Sequence, residues 1–365
     1  MKKISIITIS AIGVSLMVTS CGKNTSGFPQ VDTLPATYDF ENVNYSGQTT
    51  RIGMLEEMVV YMKTANTTGV TIDATTLKNM FSNTGSPFAN PDYNISGKQL
   101  KNKFFSLDVA TVEAYMDSIA LASTSAVAGS NGTAGVVVST TSPSKKYLLG
   151  ANGMHYQEII EKSIMGAVFY YQAVETYLSE SGIGSSVDNT TVIPGEGTAM
   201  QHHWDEAFGY LGVPVDFPAN TVGTKYWGKY SSTVTAHINS NTILMDEFKR
   251  GRKAINSNNH STKNGSAILI KATWEKLSAA MAIHYINEGL DNFSDDAIRC
   301  HVLSEGIGFV KALKYNSGRI ITLSEMDTVL GYIGNNLYTV SSANLQLAKD
   351  MISSIYGLDD VKDVL

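Results

Sequence analysis

The sequence predicts an all-α protein made of two packed helical bundles, and three observations carry that prediction. Apolar residues recur at three- and four-residue spacing through roughly ten segments. Most of those segments open on a Ser, Thr, Asp or Asn able to cap a first turn. No strand-turn-strand rhythm and no short-period repeat runs through the chain. With 365 residues, 43% of them hydrophobic and 16% charged, the chain can bury one large or two medium cores. The formal net charge of −6 and the lack of a long Lys/Arg run argue against a nucleic-acid partner, because phosphate neutralisation needs a basic face.

The N-terminus reads "MKK", then the apolar "ISIITISAIGVSLMV", then "VTSC", with small residues directly before Cys21. This order resembles the lipobox of bacterial lipoproteins, and it implies a signal peptide over 1–20 and a lipidated Cys21 that anchors the chain to a membrane. A transmembrane helix fits less well, since the apolar run is short and no basic flank follows Val18. No early acidic cluster follows Cys21, unlike the export signal of surface-exposed Bacteroidetes lipoproteins, so the expected location is periplasm-facing at the outer membrane. Residues 21–50 are polar and rich in Gly, Pro, Thr and Asn, which predicts a tether. With Cys21 taken by the lipid, Cys300 has no intrachain partner; its helical surroundings, "DDAIRCHVLSEGIGFV", predict a buried core thiol.

The first bundle is expected over 51–215. "RIGMLEEMVVYMKTA" aligns Ile52, Leu55, Val59 and Met62 on one stripe, and Asp73 caps "DATTLKNMFS". "SGKQLKNKFFSLDVATVEAYMDSIALAS" predicts a longer helix, broken near Asp108, with Leu100, Phe104, Leu107, Val112, Tyr115 and Ile119 inward. Residues 123–150 are rich in Gly, Ser and Thr and predict a long loop or small hairpin, with a β-like run at Val136 to Val138. Then comes "GMHYQEIIEKSIMGAVFYYQAVETYL", apolar on all sides below its head and so a central helix. Thr198 and Gln201 form a capping box before "HHWDEAFGYL", which Gly212 and Pro214 stop. The loop from Val213 to about Ser232 separates this half from a second bundle over 216–365, in which five more segments carry apolar stripes.

Two constellations carry ionisable residues at helical spacing. His155 and Glu158 share a face at the head of the central helix, where burial requires a partner. With Asn152 as its cap, Glu158 lies beyond the first turn, so a helix-dipole role is weak. A liganding pair, a satisfied core histidine and a structural hydrogen bond all remain open. In "HHWDEAFGYLG", Trp204, Ala207, Phe208 and Leu211 face the core, while His202, Asp205, Glu206 and Gly209 share another face that offers metal ligands or a solvated polar surface. His202 and Asp205 rank before His203 and Glu206 as ligands. His284 with Glu288 reads as core, and His301 with Glu305 as support behind a site. No HExxH, GxSxG, phosphate loop or Rossmann fingerprint is present.

Gly153, His155 and Glu158 fit a GxHxxE pattern, and on these residues the chain resembles the imelysin-like family of bacterial envelope proteins, in a branch of Bacteroidetes lipoproteins. The resemblance implies two helical bundles with a site in the cleft between them, built on His155 and Glu158, and a role in uptake or handling of iron or another divalent metal. His202, Asp205 and Glu206 are added as further metal ligands. Envelope metal-uptake components are the implied partners, besides the membrane held through Cys21, and no organic cofactor is expected. The alternatives are a metal-dependent peptidase or hydrolase, with metal-bound water as nucleophile, and a structural or partner-binding lipoprotein. In typical members an apolar segment follows the motif, whereas "QEIIEKS" carries extra charge.

Overall fold

A computed structural model describes residues 33–365. The expected signal peptide, Cys21 and the first part of the tether lie outside these residues. Leu34–Leu365 forms one compact unit, all-α apart from a two-stranded sheet.

Folding begins before residue 51. Tyr38 is fully buried, and helix α1 spans Ser46–Lys63, so the tether is shorter than expected. The stripe Ile52, Leu55, Val59 and Met62 is buried together with Met54 and Met58. Helix α2 (Ala74–Ser82) starts where Asp73 accepts a hydrogen bond from the Thr75 amide at 2.9 Å. Helix α3 (Pro91–Ile95) has an Asn90 cap and a proline in its first turn, where no N–H is needed. The long helix expected next is cut into two 3₁₀ turns, Lys101–Lys103 and Ser106–Asp108, before α4 (Val109–Ser123). The break turns Leu107 outward, 80% exposed, against expectation, while Leu100, Phe104, Val112 and Ile119 are buried as expected. Strands β1 (Gly135–Val138) and β2 (Lys146–Leu149) then form the antiparallel hairpin, with Gly135 opposite Leu149.

Helix α5 (Tyr156–Ile164) runs on without a gap into two π-helical segments, Met165–Tyr170 and Gln172–Tyr177. From Gln157 to Tyr170 only Ser163 escapes burial, so this is the central helix the apolar run predicts, and Gln157, Glu158, Glu161 and Lys162 are buried in it beside the apolar residues. Short α6 (Glu180–Ile183) leads to α7 (Ala199–Gly209), whose Thr198–Gln201 capping box is present. After a loop come α8 (Tyr226–Ile238) and α9 (Ser240–Asn256), divided at Asn239, which takes the left-handed conformation that asparagine tolerates. Helix α10 (His260–Asp291) is the longest at 32 residues. Helix α11 (Asp296–Ala312) is capped by Asp295, and α12 (Leu323–Ile333) by a Thr322–Glu325 capping box. Helix α13 (Ser342–Tyr356) ends on a left-handed Gly357.

Helix α10 packs between α9 and α11, and α11 packs against α5. Aromatic contacts join the helices on both sides of residue 215: Tyr170 meets Trp227 at 5.7 Å and Trp274 at 5.8 Å, and Trp204 meets Phe248 at 6.1 Å. The hairpin is tied down through Asp295, which accepts from the Ser139 hydroxyl at 2.7 Å and the Thr141 hydroxyl at 2.8 Å.

The N-terminal segment is held by a buried ion pair. Asp205 Oδ1 accepts from the Tyr38 hydroxyl at 2.6 Å and from Arg252 Nε at 2.9 Å, with both charged side chains at 0% exposure. Removing one partner of such a pair strands the other charge in the core. Arg252→Met is expected to cost about 3–5 kcal/mol of unfolding free energy, read as a lower urea midpoint with an unchanged slope.

Candidate metal centre

His155 is the N-cap of α5, and its backbone N–H donates to Ser304 Oγ of α11 at 2.9 Å. This corrects the expectation that Asn152 is the cap. Asn152 instead donates through its side chain to the Asn335 carbonyl at 2.9 Å. Glu158 therefore sits in the first turn after all, where the exposed amides of the helix start favour a carboxylate. Gly153, the glycine of the motif, has φ +78°, and a Cβ there would lie 2.8 Å from Cys300 Sγ. Its lack of a side chain lets the turn before α5 lie against α11.

That approach brings His301 to the pair. His155, Glu158 and His301 each offer one ligand atom, and these atoms lie within 4.8 Å of one another. The two Nδ1 atoms are 2.9 Å apart, so one imidazole donates and the other accepts. Burial drives the His155 pKa down to about 3, with the neighbouring His301 adding to the effect. Burial also lowers His301, against the pull of Glu158. Both rings are therefore neutral, the form that ligates a metal. His155 Nε2 is buried and has no hydrogen-bond partner among the described residues.

A second feature is a buried cation. Lys162, 2% exposed, places Nζ 2.8 Å from Glu158 Oε2, 3.1 Å from Glu161 Oε1 and 3.0 Å from Glu305 Oε2. Its ammonium also lies 5.0 Å from the centre of the Tyr230 ring. Burial alone opposes the charge on Lys162, but Glu158, Glu161 and Glu305 hold its pKa well above the ordinary value. Burial raises the Glu158 carboxyl as well; there the Lys162 ammonium prevails and the pKa falls below the usual range. For Glu161 and Glu305 burial prevails over Lys162 and both pKa values are raised. Gly308 of α11 makes room for this arrangement, since a Cβ there would stand 2.3 Å from Lys162 Cβ.

The two oxygens of Glu158 are thus divided. Oε2 is held by Lys162, while Oε1 accepts from Gln157 Nε2 at 2.9 Å and lies 3.9 Å from His301 Nδ1. His301 Nε2 is 3.3 Å from Glu305 Oε1, and the Tyr147 ring of the hairpin stacks on the imidazole at 4.1 Å. Glu158, Glu161, Glu305, His301, Tyr147 and Lys229 line a polar cavity of about 330 Å³ here. With the Nδ1–Nδ1 hydrogen bond opened and its proton moved to the Nε2 of that ring, two neutral imidazole nitrogens and an oriented carboxylate form a donor set suited to a borderline divalent cation such as Zn²⁺ or Fe²⁺.

The other sequence candidates lie elsewhere. Asp205 Oδ1 is held by Tyr38 and Arg252, and its Oδ2 is buried without a partner among the described residues. Glu206 accepts from Gln48 Nε2 at 2.9 Å, His202 lies 3.9 Å from Glu206, and His203 Nδ1 contacts the Gly182 carbonyl at 2.6 Å. His202, Asp205 and Glu206 are therefore absent from the group around His155. His301 and Glu305, expected only behind a site, border it directly. Their signal in the sequence is the four-residue spacing on one helix face. Cys300 is a buried thiol, as expected, and burial pushes its pKa up to about 12.

These features define an all-α protein with a buried histidine–carboxylate–lysine centre between two of its helices. The chain belongs to the family described as a domain of unknown function, DUF4856, whose sequence model matches residues 35–359. No curated protein and no solved structure matches. No helix among the described residues is long and apolar enough to cross a membrane.

Replacing Lys162 leaves three buried carboxylates without their shared cation. Lys162→Met is expected to lower stability by about 3–5 kcal/mol at neutral pH, measured by urea unfolding.

Proposed function

We propose that this chain is a lipid-anchored, periplasm-facing binding protein that takes part in uptake or handling of a divalent metal, iron or another, and that His155, Glu158 and His301 hold the ion. The observation that carries the reading is the convergence of these three donors within 4.8 Å, with both imidazoles neutral and one carboxylate oxygen left outside the Lys162 ion pairs. Lys162 and Gln157 fix the carboxylate orientation, a role that partners behind a ligand commonly fill. The likeness of Gly153, His155 and Glu158 to the GxHxxE pattern of imelysin-like envelope proteins supports the same conclusion, as does the lipobox-like "VTSC" for the anchor.

Equilibrium titration of metal-free protein with Fe²⁺, Zn²⁺ and Cu²⁺ tests the site. The expected result is one saturable equivalent, lost in His155→Ala, Glu158→Ala and His301→Ala and kept in His202→Ala. Absence of saturable binding, or binding indifferent to all three substitutions, overturns the reading. For the anchor, Cys21→Ser is expected to move the protein from the membrane fraction to the soluble one.

One observation favours a second reading, in which the centre only fixes helix packing: the Lys162 ammonium already supplies a cation to Glu158, Glu161 and Glu305. On that reading His155→Ala and Glu158→Ala lower the melting temperature equally with and without added metal. On the metal reading the wild type alone is stabilised by the ion, through preferential binding to the folded state.

A further inference from the structure

Ser163 and Gly308, on the two helices that carry the centre, also border a separate cavity of about 540 Å³. Its volume falls in the range of small-molecule sites, about 300–1,000 Å³. The walls are largely apolar and aromatic, with Phe105, Val112, Tyr115, Tyr315, Met326 and Leu330 among them. Phe105 and Tyr315 meet edge to face at 5.5 Å, which gives a rigid aromatic corner.

Four cations, Lys162, Lys311, Lys314 and Arg319, stand in the lining against two carboxylates, Asp108 and Asp327. Lys314 is neutralised by Asp108 at 2.5 Å, and the Lys162 charge is spent on the carboxylates described above. Lys311 donates only to the Tyr115 hydroxyl, at 2.8 Å, and has no carboxylate partner among the described residues. Arg319 has none either. Its guanidinium makes one long hydrogen bond, Nη1 to the Asn316 carbonyl at 3.4 Å, and its Nε is buried without a partner. The remaining charge in the lining is Asp327, which is exposed. Arg319 and Lys311 thus bring two positive charges without a carboxylate to the cavity wall, and a planar guanidinium matches a carboxylate with two parallel hydrogen bonds.

We infer that this cavity binds an amphipathic monocarboxylate, with the apolar body against the Phe105–Tyr315 wall and the carboxylate on Arg319, assisted by Lys311. A cationic amphiphile would place like charges together. A neutral one would satisfy the apolar wall alone. The assignment does not depend on the metal reading, since the donors His155, Glu158 and His301 take no part in it.

Isothermal titration calorimetry with decanoate, decanol and decyltrimethylammonium tests it. Decanoate is expected to bind saturably at one per chain and more tightly than decanol, with no binding of the ammonium. Arg319→Met should weaken decanoate about tenfold or more, the loss of one charge-assisted pair. Thr111→Trp, at an exposed position in the lining, should block the cavity while leaving the melting temperature unchanged. No saturable decanoate binding, equal binding of the ammonium, or decanoate affinity untouched by both substitutions overturns the assignment.

Discussion

The Lys162 ammonium is the interaction on which the middle of this molecule depends. Three carboxylates from two helices converge on it, and none of them would be tolerated at that depth without it. It joins α5 to α11, sets which oxygen of Glu158 turns toward the histidines, and keeps that carboxyl ionised. Gly308 is the geometric counterpart, because any side chain there would push the two helices apart. His301, the hairpin ring that stacks on it and the polar cavity lie directly beside this contact.

Much of the fold was legible in the sequence because it is decided over short distances along the chain. Asp73, Thr198 with Gln201 and Thr322 with Glu325 cap their helices through neighbours within three residues, and a pattern of that kind can be read without tertiary knowledge. The same holds for the apolar stripe of α1 and for the hairpin. Leu107 was misplaced because a break at Asp108 changes the phase of the helical wheel, and the propensities there do not show which side of the break a residue follows.

The centre was only half legible. His155 and Glu158 declared themselves as ionisable residues on a central helix, but their partner His301 lies 146 positions away. His202 with Asp205, His284 with Glu288 and His301 with Glu305 also had helical spacing of three or four residues, and the choice among them is made by helix packing, which spacing does not encode. Asp205 reads as a ligand from the sequence for the same reason. Its true partner, Arg252, comes from a helix 47 residues later, and burial then makes that pairing obligatory. Lys162 was visible as extra charge after the motif, yet a lysine on an apolar helix gives no hint of the three carboxylates it will meet.

The π-helical segments from Met165 to Tyr177 have a consequence for anyone comparing or grafting this helix. A wide turn bonds each amide five residues back instead of four, so the side-chain rows slip relative to an ordinary helix. A wheel drawn at 100° per residue from His155 keeps its meaning as far as Ile164 and assigns wrong neighbours beyond it. Two chains aligned through the motif without a gap will present different residues to the core if only one of them carries the wide turns. A transplanted motif would therefore need the backbone irregularity beneath it as well as the histidine and the glutamate above.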